Sequence, residues 1–82
     1  MLKNFRFTRG NQFAPGDHVS VSMDYHWAQG ANGTVEGKPR AVKTLSGIER
    51  HYWVAFDEPH IDADGDGPYQ AAEIAGDSLR RI

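Results

Sequence analysis

Hydrophobic and polar side chains alternate strictly over residues 18–24, where Val19, Val21 and Met23 are separated by polar residues. An alternation with a period of two places the hydrophobic side chains on one face of an extended chain. Two of these three residues are also β-branched, which favours extended structure. The stretch therefore predicts a half-buried β-strand, which follows directly on a Pro-Gly turn signal.

The strongest strand signal lies at residues 50–57, where large hydrophobic residues again occupy every second position. The residues assigned to the core face are Tyr52, Val54 and Phe56, and those of the opposite face are His51, Trp53 and Ala55. We expect Glu58-Pro59 to end this strand, because proline has no N–H group to donate to a β-ladder.

Glycine and proline divide the middle of the chain into shorter segments. Residues 33–37 predict a short strand, and Lys38-Pro39 is expected to break the chain after it. Residues 40–45 predict a further strand, which turns at Ser46-Gly47 into the next one. A helix is the alternative, because hydrophobic residues recur there every three positions, but the segment is too short for a stable helix.

The C-terminal part of the chain predicts two short strands around a tight turn. Residues 69–74 are typical of a strand, residues 75–79 of a single 3₁₀ turn, and residues 79–82 of a closing strand. Closely spaced strands without a long helix predict an all-β barrel. We expect the barrel to span residues 13–82 and residues 1–12 to form a flexible N-terminal arm.

The composition limits the protein to a small domain of uneven charge. The 82 residues carry a formal net charge of −2 and include no cysteine, which excludes disulfides and thiolate metal sites. Residues 1–50 hold seven basic and four acidic residues, whereas residues 51–82 hold two basic and seven acidic ones. A general nucleic-acid binder should instead show a basic domain with clustered lysine and arginine residues, so the acidic half argues against that class.

No segment is typical of a membrane span or of a secretory signal. Hydrophobic runs stay well below the roughly 18 residues that a span requires. Residues 1–13 include basic residues but lack the apolar core of a signal peptide. We therefore expect a cytoplasmic protein without a membrane partner.

Four motifs, taken in order, resemble those of the SH3-like small barrels. They are Pro-Gly-Asp-His-Val-Ser-Val at 15–21, Gly-Ala-Asn-Gly-Thr-Val-Glu at 30–36, Tyr-Trp-Val-Ala-Phe-Asp at 52–57, and Ala-Glu-Ile at 72–74 followed by Ser-Leu-Arg-Arg-Ile at 78–82. Electron-transport accessory proteins and KOW domains are similar barrels of this kind. The resemblance implies a five-stranded SH3-like barrel with a 3₁₀ turn before the last strand. It also implies an adaptor, RNA-binding or subunit-docking role and carries over no catalytic residue.

The segment after the strongest strand resembles a calcium-binding loop. Asp62, Asp64 and Asp66 alternate with small residues, Gly67 follows, and Glu73 comes six residues after that glycine. Ca²⁺ takes six to eight oxygen ligands, and these four acidic residues have the loop spacing that supplies them. The predicted flanks are strands, however, whereas an EF-hand has helices. The alternative is an acidic turn in which aspartate side chains accept hydrogen bonds from backbone N–H groups.

Exposed aromatic residues indicate a surface for a partner. The residues that we predict to bind it are Tyr25, Trp27, Trp53 and Tyr69. Tyrosine and tryptophan suit recognition, because each combines a large apolar face with a polar group. The alternative for Trp27 is that it folds over one end of the barrel and closes its core.

We therefore expect a non-enzymatic protein-binding or complex-assembly module, either monomeric or weakly homo-oligomeric. Five acidic residues and no basic one lie between Asp57 and Asp66, which predicts a partner with a basic surface. One alternative is a structural domain stabilised by Ca²⁺. Another is an RNA-binding KOW-like barrel; its candidate residues are Lys38, Arg40, Lys43 and Arg50.

Catalytic and zinc-binding patterns are weak in this sequence. The serines lie outside any nucleophile-elbow pattern. The four histidines, His18, His26, His51 and His60, have no short ligand spacing. We expect them to be scattered over the surface, and we expect no enzymatic activity.

Overall fold

A computed structural model describes residues 12–82, which form five strands and one 3₁₀ turn. The elements are β1 (His18–Val21), β2 (Asn32–Thr44), β3 (Gly47–His60), β4 (Tyr69–Ala75), the 3₁₀ turn (Gly76–Ser78) and β5 (Leu79–Arg81). The N-terminal arm that we predict at residues 1–12 lies, apart from Gln12, outside the described residues. The all-β class and the 3₁₀ turn before the last strand are confirmed.

All five strands belong to one antiparallel sheet with the order β4-β3-β2-β1-β5. Each of the first three strands therefore lies beside the next one in the chain, and β5 returns to pair with β1. In the part of the chain that the structure describes, no pairing joins β4 to β5, so the sheet is open at these two edges.

The core lies on the face of the sheet that the alternation predicts. Tyr52, Val54 and Phe56 of β3 are all buried, as are Val19 and Val21 of β1. The remaining buried residues of the same cluster are Phe13, Ala28, Val35, Ala72, Ile74 and Leu79. Burial of these apolar side chains supplies the main stabilisation of the fold.

The predicted extent of the first strand is too long. The strand β1 ends at Val21, and Met23 is 73% exposed rather than on the core face. The chain turns away at Ser22, whose backbone N–H donates to the carbonyl oxygen of Ser78 at 2.7 Å. The alternation therefore continues for three residues beyond the strand itself.

Two prolines that we expected to interrupt strands lie inside them. Pro39 belongs to β2, where the pairing with β3 shifts register between Glu36 and Arg40. Pro59 belongs to β3, where the pairing with β4 shifts between Ala55 and His60. A β-bulge leaves a residue without a ladder hydrogen bond, so the missing N–H group of proline costs little there. The hairpin that we favoured over a helix for residues 40–48 is confirmed.

One glycine is required by close packing of neighbouring strands. Gly33 is buried in β2, and a Cβ atom added to it would lie 2.5 Å from the carbonyl oxygen of Ala55. The nearest side-chain atom, Cγ1 of Val54, would be 2.6 Å away. A residue without a side chain therefore allows β2 and β3 to approach closely here.

Candidate functional site

A cluster of aromatic rings forms where the end of β3, the start of β4 and the loop of residues 22–31 meet. The ring centroid of Trp27 lies 5.3 Å from that of Tyr69, 5.8 Å from His60 and 6.1 Å from Phe56. The corresponding interplanar angles are 77°, 68° and 83°, so all three contacts are edge to face. This is a favoured arrangement of aromatic pairs. Backbone pairing places His60 opposite Tyr69, which brings both side chains to the same end of the sheet.

Local backbone structure holds Trp27 in this position. The next residue, Ala28, is buried and has a φ of 57°, which turns the chain sharply. The carbonyl oxygen of Ala28 accepts a hydrogen bond from the N–H group of Ala31 at 3.0 Å. Trp27 itself is half-buried and packs against the core cluster. It therefore closes one end of the core and also presents part of its ring to the surface.

An open groove of about 340 Å³ lies beside this cluster. The residues that line it are Trp27, Trp53, Asp62, Tyr69, Ala71 and Ala72. Register explains the lining, because Ala71 pairs with Ala55, two positions from Trp53 on the same face of β3. The small side chain of Ala71 leaves room between the larger rings. We call this feature, defined by its six lining residues, the aromatic groove.

The predicted partner-binding residues are thus brought together in part. Trp27, Trp53 and Tyr69 line the aromatic groove, with Trp53 47% and Tyr69 38% exposed. Tyr25 does not line it. The ring of Tyr25 lies 4.3 Å from that of His26, and its side chain packs against the core cluster.

The acidic loop of residues 61–68 is folded around the side chain of Asp62. Its Oδ1 atom accepts hydrogen bonds from the N–H groups of Asp64 at 3.0 Å and Asp66 at 2.9 Å. The backbone of Asp62 also bonds to that of Gly65 and Asp66, each at 3.0 Å. This is the acidic turn with a capping aspartate that was the alternative to a calcium loop.

Glu73 is held by a basic residue of the neighbouring hairpin. Nε of Arg40 donates to Oε2 of Glu73 at 2.9 Å, and Nη2 donates to Oε1 at 2.6 Å. These hydrogen bonds lower the pKa of Glu73 below its ordinary value of 4.5, and the positive charges of Arg40 and His51 add to the effect. Partial burial of the carboxylate acts in the opposite direction.

The structure does not bring the four predicted calcium ligands together. Asp62 uses one oxygen for the turn, and Glu73 uses both oxygens for Arg40. Among residues 12–82 no group of three histidine, aspartate or glutamate side chains is placed to hold a metal ion. Spacing along the chain resembled a calcium loop, but the β-register assigns Glu73 to another partner.

The remaining candidate residues form no common site: the histidines lie apart from one another, whereas the basic residues lie together in one hairpin. His18 lies 2.8 Å from Asp57, His51 lies 3.0 Å from Glu49, and His60 belongs to the ring cluster. The basic residues considered for RNA binding all lie in β2 and β3, at or beyond the bulge; they are Lys38, Arg40, Lys43 and Arg50. The charge of Arg40 is balanced there by Glu73.

Sequence reasoning missed one contributor to this site, since His60 was assigned to the surface, yet it contacts Trp27. Asp62 was named both as a candidate calcium ligand and as part of the acidic loop that would face a basic partner, and it lines the aromatic groove. Both positions depend on how the loop of residues 61–68 returns the chain to β4. No periodic pattern marks that path. The nearest signals in the sequence were the aromatic residues on each side of the loop, Phe56 before it and Tyr69 after it.

No protein-family model, curated protein or solved structure shows a significant match to this chain. Within residues 12–82 the structure contains no helix with the length and hydropathy that crossing a membrane requires. The site must therefore be interpreted from its own geometry and charge.

Proposed function

We propose that this protein is a non-enzymatic binding module that docks a basic segment of a protein partner in the aromatic groove. The observation that carries the proposal is the exposure of Trp53 and Tyr69 next to the carboxylate of Asp62. Large exposed aromatic residues are enriched among the residues that dominate binding energy at interfaces. An acidic residue beside them favours a cationic partner.

The aromatic groove is organised before any partner arrives. Three ring contacts hold Trp27, and backbone pairing holds Tyr69 against His60. Side chains that are already ordered lose little conformational entropy when a ligand binds. This order supports a binding role over a role in core closure alone.

The charge around the aromatic groove supports a basic partner. Five acidic residues and no basic one lie between Asp57 and Asp66, and the groove adjoins this segment at Asp62. Such a field accelerates the encounter with a positively charged segment and is screened by salt. We therefore expect the association rate to fall as ionic strength rises.

We also propose that the sheet belongs to a small SH3-like barrel. Its support is the strand order β4-β3-β2-β1-β5 together with the 3₁₀ turn immediately before β5. Barrels of this kind use loops at one end of the sheet for recognition, and the aromatic groove lies between two such loops, residues 22–31 and 61–68.

The test is a screen of synthetic basic peptides, read out by the fluorescence of the two tryptophans. We expect a subset of peptides to bind and Trp53→Ala to weaken that binding by about tenfold or more. Leu45→Ala is the matched control, because Leu45 is fully exposed at the opposite end of β2 and β3. Peptides that fail to bind, or that bind equally to the Trp53→Ala variant, would overturn the proposal.

Two other hypotheses from the sequence stay predictions with direct tests. Calcium binding would raise the unfolding temperature at millimolar Ca²⁺, and a chelator would reverse the rise. RNA binding would retard a labelled RNA at low salt, and this retardation would depend on Lys43 and Arg50.

A further inference from the structure

We propose, building on the proposed function, that the aromatic groove accommodates one arginine side chain of the partner. The guanidinium group would stack on an exposed ring and donate a hydrogen bond to Asp62. The proposed function requires only a basic segment of the partner. The present proposal adds that one arginine side chain of that segment lies in the aromatic groove.

The ring geometry favours a flat cation. Trp27 and Tyr69 meet at 77° with their centroids 5.3 Å apart, so their planes form a corner, and Trp53 adds a third ring to the lining. The face of an aromatic ring carries a negative potential that attracts cations. Indole rings give the strongest attraction, and two of the three rings are indoles.

The carboxylate of Asp62 has an oxygen suited to the ligand. Its Oδ1 atom is held by two backbone N–H groups, which fix the orientation of the whole group. Within residues 12–82 the other oxygen, Oδ2, accepts no hydrogen bond from a described side chain or backbone group. A fixed carboxylate with one available oxygen is a good acceptor for a charged N–H donor.

The chain does not supply this cation from its own described residues. The lining contains neither lysine nor arginine. Arg40 is bound to Glu73, and Arg81 lies over the ring of Phe13 at 4.9 Å from its centroid. Among residues 12–82, no lysine or arginine therefore occupies the groove, and we assign this place to a side chain of the partner.

The shape and openness of the site favour arginine over lysine. A groove of about 340 Å³ is near the lower limit of roughly 300–1,000 Å³ for small-molecule pockets, which fits a single side chain. Because the groove is open to solvent, a strongly hydrated ammonium group would keep its water and gain little. A guanidinium group is planar and more weakly hydrated, and it can stack and donate a hydrogen bond at the same time.

The first experiment uses small probes, so it needs no identified partner. N-ethylguanidinium, the neutral N-ethylurea and ethylammonium are titrated separately, and the two indole N–H signals are followed by NMR, with Trp53→Phe giving their assignment. We expect saturable shifts of both signals with ethylguanidinium, about tenfold weaker binding of ethylammonium, and no saturable shift with ethylurea. Equal responses to the charged and neutral probes would overturn the inference.

The matched variant is Asp62→Asn, which removes the charge and keeps a side-chain oxygen for the two N–H groups of the turn. It should weaken ethylguanidinium about tenfold and leave the unfolding temperature nearly unchanged. Asp24→Asn, an exposed carboxylate that does not line the groove, should leave the affinity unchanged. Equal affinities of the Asp62→Asn variant and the unmodified protein would overturn the assigned role of Asp62.

A peptide arm separates this inference from the proposed function. In a peptide whose binding depends on Trp53, each arginine is replaced in turn by citrulline, its neutral isostere, and by lysine. Loss of about tenfold at one arginine position supports the inference. Tolerance of citrulline at every position overturns it while the proposed function stands, whereas the absence of any Trp53-dependent peptide overturns the proposed function itself.

Discussion

The strands β2 and β3 run through two regions of very different character. In the first region, residues 32–36 and 52–57, they are flanked by β1 and β4, and alternate side chains are buried. In the second region, residues 40–50, the same two strands pair only with each other. No residue of this second region is buried, and we call it the ribbon.

The difference shows that a strand is buried by its neighbours rather than by its own composition. The ribbon contains Val42, Leu45 and Ile48, yet Leu45 is fully exposed and Ile48 is 71% exposed. A two-stranded ribbon is only marginally stable by itself in water. The ribbon is continuous with the flanked region, which supports it, and the bond between Arg40 and Glu73 ties it to β4.

The largest predicted contrast uses the same residue type in both regions. Ile74 of β4 is 0% exposed and packs on the flanked region, whereas Ile48 lies on the ribbon. Ile74→Ala should lower the free energy of unfolding by about 2–5 kcal/mol, because it removes buried methyl groups and leaves a cavity. Ile48→Ala should change it by less than about 0.5 kcal/mol.

Urea unfolding of both variants followed by circular dichroism measures this contrast. Chemically identical substitutions remove the influence of side-chain type, so only burial differs. Similar losses for the two variants would show that the ribbon is covered in solution, for example by a second copy of the chain.

The second contrast uses glycines of the same strand. Gly33→Ala brings a Cβ atom to 2.5 Å from the carbonyl oxygen of Ala55, so β2 and β3 must separate. We expect a loss of about 3 kcal/mol. Gly37→Ala meets no atom within 4 Å but has a φ of 71°, so only backbone strain opposes it. That strain should cost about 1 kcal/mol.

Thermal unfolding of the two glycine variants provides the measurement. An equal, small loss at both positions would mean that β2 and β3 do not approach closely at Gly33. A loss at Gly33 that is larger than the loss at Gly37 supports the packing distance that the structure shows.

The five strands and the 3₁₀ turn could largely be predicted from the sequence because their signals are local, but closure into a barrel is not shown, since β4 and β5 are not paired in the described sheet. Alternation marked the core faces of β1 and β3, and glycine-containing turns marked the hairpin and the 3₁₀ turn. Pro39 and Pro59 were misjudged, because whether a proline interrupts a strand depends on which N–H groups of that strand have partners. That information lies in the register between strands. The alternation of hydrophobic and polar residues along the chain does not contain this register.

The site was predicted only in part for the same reason. Trp27, Trp53 and Tyr69 could be named from their type, but their meeting depends on the loop of residues 61–68. Glu73 was linked to the aspartates by its spacing along the chain. In the structure its partner is Arg40, which is 33 residues away and is reached only through the pairing of β2, β3 and β4.

The smallest predicted effect concerns the side-chain bond that ties the ribbon to β4. Because Arg40 lowers the pKa of Glu73, the carboxyl group should titrate below 4.5 in the folded protein. The contribution of this bond to stability is fully present above the pKa of the unfolded chain. It is lost as the pH falls through the lower pKa of the folded state. The side chain of Arg40 is 63% exposed and that of Glu73 is 32% exposed, so water screens the pair and the change in stability is small.

NMR titration of the Glu73 carboxyl signal, together with amide hydrogen exchange of the ribbon, measures this bond directly. Arg40→Met should return the pKa of Glu73 toward 4.5 and accelerate exchange at Val42 and Glu49, which pair across the ribbon, because the ribbon then frays more often. Arg50→Met removes the same charge from the other strand of the ribbon and should leave the Glu73 titration unchanged. If the Arg40→Met variant titrated and exchanged like the unmodified protein, the ribbon would owe its order to the backbone ladder alone, and its contrast with the flanked region would be one of side-chain burial only.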